Sequence, residues 1–215
     1  MINKELKERI ITSIILLSIV SLGIFIHLYL SLIVLVVISI LTWREFVAII
    51  EKINFSKKLL HEIFKILSFC YLSVFAYTSF VIIASNKLIF IYFLIVCIFS
   101  DIGGYIIGKI FGGLKLTKIS PNKTISGSMG SFFFSLAPSI IIYLFFKYDS
   151  IEKLILISLW LSLICQLGDL FISYFKRLAN VKNTGNILPG HGGILDRIDG
   201  IIFAIPSLIL LNYFI

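Results

Sequence analysis

IITSIILLSIVSLGIFIHLYLSLIVLVVISILTW, residues 10–43, contains no Asp, Glu, Lys or Arg between Arg9 and Arg44. At 1.5 Å per residue it would make roughly 50 Å of helix, whereas the hydrocarbon core of a bilayer is about 30 Å thick. A single helix overshoots that core, so the stretch predicts two short spans that turn between Gly23 and Ser31. Stretches with at most one charge mark further spans over Ile66–Asn86, Leu88–Gly108, Ser126–Phe146, Leu154–Phe175, and from Ile198 to the carboxyl end. The expected fold is all-α: a polytopic integral membrane protein of about seven transmembrane helices.

Composition points the same way. Of 215 residues, 59% are hydrophobic and 14% charged, with a mean hydropathy of +1.08. Soluble domains carry about 25% charge, so a soluble enzyme, a disordered tail and a disulfide scaffold are all excluded. Cys70, Cys97 and Cys165 lie in apolar runs without metal-ligand spacing and read as buried structural thiols. The opening MINKELKERI mixes both charge signs, and the apolar stretch behind it exceeds the 7–15-residue core of a secretory signal. It reads as a retained anchor.

The net charge is +8, from 19 Lys and Arg against 11 Asp and Glu. Of the 19 basic residues, 13 fall in Arg44–Lys65, Lys109–Lys123 and Lys176–Arg197, each region separated from the next by two expected helices. By the positive-inside rule all three regions face the cytoplasm, which puts the amino terminus there too and the carboxyl terminus outside. The chain reads as one membrane-embedded domain, 1–215. Within it, 1–99 supplies amino-terminal spans, 100–199 the chemistry, and 198–215 the final span.

Four carboxylates are candidates because of their depth. A charge at a helix centre in the bilayer costs at least about 2.5–3.5 kcal/mol, so it persists only with a partner or a task. Asp101 and Asp169 lie inside spans, and Asp196 and Asp199 stand where the last one begins. The structural alternative is ion pairing of Asp101 with Lys109, and of Asp169 with Lys176 or Arg177. Carboxylate oxygens also suit a hard cation such as Mg²⁺, held together with substrate phosphates.

Asp169, Ser173, Lys176 and Arg177 recur at helical spacing and share a face. Beyond them Lys182, Gly185, Pro189, Gly190, His191, Gly192 and Gly193 form a glycine-laden turn back to Asp196 and Arg197. Such a turn lets backbone amides approach a phosphate. In SPNKTISG, residues 120–127, Lys123, Thr124, Ser126 and the first amides of the next helix could cradle an anion. No Walker A pattern is present. His27 and His61 receive no role, and Trp43 with the many Phe and Tyr residues is read as lipid-facing or interfacial packing.

The run SYFKRLANVKNTGNILPGHGGILDRID, Ser173 to Asp199, resembles the signature of the phosphatidate cytidylyltransferase, or CDP-diacylglycerol synthase, family. SDIGGYIIGKIFGG and KISPNKTISG look like further segments of it, so the resemblance covers roughly Ser100 to Asp199. Three positions depart from the commoner pattern: Asn183 stands for Asp, and Ser126 and Ile172 each for Glu. The chain is also short for the family, as if one or two amino-terminal spans were missing.

The resemblance implies a nucleotidyltransferase that passes CMP from CTP to phosphatidic acid, within phospholipid biosynthesis. It implies Mg²⁺ or a similar cation on Asp169, Asp196 and Asp199, with Lys176 and Arg177 also catalytic. Substrate contacts fall to Lys123, Thr124, Ser173, Lys182, His191, Gly192, Gly193 and Arg197, while the role of Asp101 stays open. The setting expected is the bacterial inner (plasma) membrane, with the active site toward the cytoplasm, membrane lipid as partner, no nucleic acid, and a homodimer. The alternatives are a CTP-dependent transferase with another lipid acceptor and a small ion-coupled transporter.

Overall fold

The computed structural model describes residues 12, 15, 18–55, 58–117, 120–146, 150–190 and 192–211. They form α1 (Leu28–Ile50), α2 (Lys58–Ser85), α3 (Lys87–Phe111), α4 (Ile125–Phe146), α5 (Ile151–Leu178), the single turn α6 (Leu195–Ile198) and α7 (Ile201–Leu211). Among the described residues, α1 to α5 are five helices long and apolar enough to cross a membrane. Residues 10, 11, 13, 14, 16 and 17 of the first expected span lie outside the described residues, and the last span appears as the shorter apolar α7. Only isolated β-bridges, Lys115 to Thr124 and Leu188 to Gly192, occur among the described residues.

The expected turn is present. Residues 18–26 are helical, the helix breaks at His27, and α1 starts at Leu28. His27 caps it in an extended conformation, its Nδ1 accepting from the Tyr29 amide at 3.3 Å. A Cβ on Gly23 would lie 3.2 Å from Val34 Cγ2. In a straight helix these two residues would stand about 16 Å apart, so the chain reverses between them.

Charge marked where spans end but not where helices end. Arg44–Lys65 was expected as a connecting region, yet α1 runs on to Ile50 and α2 already begins at Lys58. At 28 residues each, α2 and α5 extend about 42 Å, longer than a bilayer core. Helical bonding therefore runs past the apolar stretches into segments that carry charge, such as Lys58–Lys65 and Lys176–Leu178.

The chain divides into two compact units, interleaved in sequence. One takes in residues up to Lys87 and Phe175–Ile198. In it α1 packs on α2 and meets α6. Trp43, expected at the lipid interface, instead bridges the helix pair: its Nε1 donates to the Lys65 carbonyl at 3.1 Å, and its ring meets Phe69 edge-on at 5.7 Å. Phe175, at the end of α5, packs against Phe46 and Phe64 at 5.3 and 5.5 Å.

The other unit comprises Leu88–Tyr174 and Asp199–Ile215. Its interior mixes apolar side chains such as Val96, Leu161 and Ile205 with buried hydroxyls, while large apolar side chains also stand on its outside. Ser100, Ser131, Ser135, Ser139, Ser158 and Ser162 are buried, while Phe133 and Phe145 are exposed. Ser100 and Ser162 bond each other at 2.8 Å, and the Tyr92 hydroxyl reaches Ser139, Ser158 and the Leu154 carbonyl. Small polar residues let membrane helices approach and bond across the seam. Tyr92, one of the aromatic residues read from sequence as lipid-facing or interfacial packing, is thus a buried tie. On α3 and α4 the backbones approach closely, with a Cβ on Gly103 falling 2.5 Å from the Gly130 carbonyl. Cys97 and Cys165 are buried free thiols as expected, whereas Cys70 is exposed.

Candidate functional site

Chemistry-bearing residues gather in two places, one in each unit. The first is a cavity of about 330 Å³ lined by Asp101 and Tyr105 of α3, the 116–124 loop, the start of α4, and Gln166 and Asp169 of α5. That size is within the range of small-molecule sites. Asp169 forms an ion pair with Lys123 and accepts from Ser173 Oγ at 3.3 Å. The sequence alternative had paired Asp169 with Lys176 or Arg177, its neighbours on the helix. The partner comes instead from the loop before α4, which folds back over α5.

Asp101 lines the same cavity, and Cys165 Sγ approaches its Oδ1 at 3.8 Å. The expected partner, Lys109, lies 5.7 Å from the Tyr105 ring centroid, over its face. Ser128 donates to Gln166 Oε1 at 2.6 Å, and Gln166 donates to Ser162 at 3.3 Å. Ser128, Gln166, Tyr105 and Asn122 were not singled out from sequence. Polar residues at single positions inside apolar helices were the available signal for the first two.

Thr124 caps α4: its hydroxyl oxygen accepts from the Gly127 amide at 3.0 Å and lies 2.9 Å from Ser126 Oγ. Ser126 in turn donates to the Gly112 carbonyl. The Thr124 proton therefore goes to Ser126, so this hydroxyl shapes the loop while Lys123 carries the charge. A second departure, Ile172, is 2% exposed, an apolar residue at a packed position.

The second place is the signature loop. Asp196 Oδ1 accepts from Lys176 Nζ at 2.8 Å, and Oδ2 accepts from the amides of Thr184 at 2.8 Å and Gly193 at 3.1 Å. Burial alone would raise the Asp196 carboxyl, but the Lys176 bond and charge and the two amides outweigh it and hold it below the ordinary carboxylate range. Leu188 and Gly192 exchange two backbone bonds, closing the glycine turn, and Gly192 takes a φ of +87° that other residues avoid. Arg177, Lys182 and Arg197 are exposed, and His191 lies outside the described residues.

Glu45, from α1, was missed altogether. It is 5% exposed, and its carboxylate accepts from the amides of Ile194 at 3.0 Å and Leu195 at 2.9 Å. Thr184 Oγ1 lies 2.9 Å from Glu45 Oε2 and 3.1 Å from Asp196 Oδ2. The glycines expected to admit a phosphate also make room for this side chain, since a Cβ on Gly185 would fall 2.7 Å from Glu45 Oε1. One on Gly193 would overlap both Glu45 and Thr184. The signal was available: Thr42, Glu45, Phe46 and Ile49 keep helical spacing and are all buried.

Asp199 stands at the turn before α7, in the cavity's unit, and Oδ1 accepts from the Gly200 amide at 3.0 Å. Within neither unit do three His, Cys, Asp or Glu side chains among the described residues gather as a metal cage.

The cytidylyltransferase family matches the chain over residues 55–215. A phosphatidate cytidylyltransferase of Rickettsia bellii is 46% identical over 140 residues, which are 60% of this chain and 58% of that protein. The enzyme of the same name from Staphylococcus haemolyticus is 46% identical over 123 residues, 56% and 47% of the two chains. That from Staphylococcus aureus strain COL is 48% identical over 121 residues, 55% and 46%. The chain thus spans about half the length of the curated relatives it matches.

Proposed function

Because the chain belongs to the cytidylyltransferase family, we propose that it transfers CMP from CTP to phosphatidic acid, giving CDP-diacylglycerol and pyrophosphate. The observation that carries this reading is the cavity in which Asp101, Asp169 and Lys123 meet within an apolar helical unit. An ion-handling reading accounts for acids within apolar helices but gives no reason for the long basic, glycine-rich loop between Asp169 and Asp196.

In the reaction a lipid phosphate oxygen attacks the α-phosphorus of CTP. The bond from that phosphorus to the bridging oxygen breaks, and pyrophosphate leaves with the electron pair. No protein nucleophile is needed, so the chain contributes position and charge. Lys123 faces the anionic phosphates; the amides expected to join it are taken, Ile125 by the Leu114 carbonyl and Gly127 by the Thr124 hydroxyl. Ser173 orients Asp169, and Ser128 and Gln166 offer polar contacts to the nucleotide. Lys176, Arg177, Lys182, His191, Gly192, Gly193 and Arg197 are assigned to substrate phosphates from their places in the signature.

The donors fit Mg²⁺. Asp101 and Asp169 line one cavity with amide and hydroxyl oxygens beside them, and Mg²⁺ takes one or two carboxylates, substrate phosphates and water rather than an all-protein cage. When bound it would neutralise charge developing on the phosphates. We assign it to Asp169, with Asp199 as a further ligand from the signature; Asp196, expected from the signature as a third, has its oxygens taken by Lys176 and the amides of Thr184 and Gly193 and is left to hold the loop. A cytoplasmic active site and a homodimer belong to the same proposal.

Purified protein supplied with labelled CTP, phosphatidic acid and Mg²⁺ is expected to incorporate label into lipid. No CTP consumption would end the reading, and turnover with a different lipid acceptor alone would replace phosphatidic acid as substrate.

A further inference from the structure

Glu45 lies ahead of the family-matched segment and holds the signature loop without touching the proposed substrates. We propose that Glu45 is the positioning residue of that loop, setting Asp196 through Thr184. Its carboxylate is the acceptor for two consecutive amides, Ile194 and Leu195, and a third donor, Thr184 Oγ1, lies within reach. Among the described residues, no Lys, Arg or His pairs with it. A buried carboxylate without a cation persists only when its hydrogen bonds replace water.

The link to Asp196 is a single proton. The Thr184 hydroxyl lies within bonding distance of both carboxylates, Glu45 and Asp196, but can donate to only one at a time. The same residue's amide is fixed on Asp196 Oδ2. Glu45 therefore governs which way the Thr184 hydroxyl turns, and its grip on Ile194 and Leu195 sets where the chain enters α6, the turn that carries Asp196. Gly185 and Gly193 are the space this arrangement needs.

A glutamine keeps the shape and loses the chemistry. Its amide nitrogen would replace one carboxylate oxygen, leaving either the Ile194 or the Leu195 amide facing a donor. Supporting partners of functional groups typically cost about 10–100-fold when replaced, and that fall in kcat is expected of Glu45→Gln, with KM for CTP within about threefold. Thr184→Val should do the same and Thr184→Ser should restore activity. The double variant should be no worse than the weaker single one, because both break one chain of contacts. A merely structural role would instead lower yield or melting temperature and leave kcat per folded molecule unchanged.

The inference rests on the proposed CMP transfer, so the test carries a second readout. Hydrogen exchange is measured on the full chain in detergent, and the amides of Ile194 and Leu195 are expected to exchange at least about tenfold faster in Glu45→Gln while α3 and α4 do not change. Unchanged exchange at those amides overturns the inference, as does wild-type kcat in folded Glu45→Gln and Thr184→Val. If wild-type protein consumes no CTP, the function proposal falls, and exchange alone decides whether Glu45 holds the loop.

Discussion

Asp169 and Asp196 each carry a lysine partner, yet their surroundings differ. Asp169 keeps 29% of its side chain exposed, beside a cavity, with one lysine and one serine as partners. Asp196 keeps 9%, and both its oxygens are occupied, by Lys176 and by the amides of Thr184 and Gly193. The first carboxylate can exchange its lysine for a ligand at the cost of one surface-like ion pair. The second can do so only by releasing the loop it organises. Two acids that look alike in sequence are thus set for different work, one to receive and one to hold a shape that receives.

The largest effect that sharpens this comparison is on turnover. Asp169→Asn and Asp196→Asn are each expected to lower CMP transfer by at least about 100-fold, the scale of losing an electrostatic group at a phosphoryl centre. They should differ in order. Asp196→Asn should also speed hydrogen exchange at Thr184 and Gly193, and Asp169→Asn should leave those amides unchanged. Equal exchange in both variants would remove the distinction.

A smaller effect is expected from Gly193→Ala, whose added methyl overlaps Glu45 and Thr184. Inserting a methyl group into a packed site costs about 1–3 kcal/mol, which a thermal melt of the purified protein reads. An unshifted melt would mean that the Glu45 contact yields freely.

The smallest is a pH effect. Asp196 has its carboxyl held below the ordinary value, so its contribution to order is complete above about pH 4 and is lost as pH falls through the lower folded value. Exchange at Thr184 should stay flat from neutral pH to about pH 4, after correction for intrinsic rates, and rise only below that. Loosening between pH 5 and 7 would contradict the arrangement around Lys176, Thr184, Gly193 and Glu45.

Much of the helical plan was legible because a bilayer imposes one rule on every residue. Charge-poor length located α1 to α5 and the reversal at His27, while interfacial turns such as Lys58–Lys65 were missed because helical bonding does not stop where charge begins. The candidate acids were legible too, since an unpaired carboxylate among apolar residues is costly. Their partners were not: Asp169 takes Lys123, which is far from it in sequence, and Lys109 turns to an aromatic ring.

The sequence by itself determined that this chain is built of apolar helices, which stretches are long enough to cross a membrane, and which family it resembles. Those properties depend on local hydropathy, spacing and residue type. Only the tertiary structure decided that Glu45 anchors the signature loop, that its glycines make room for a side chain, and that Ser128 and Gln166 line a cavity with Asp169. Contacts between distant residues depend on where the backbone carries them, and spacing along the chain does not encode that.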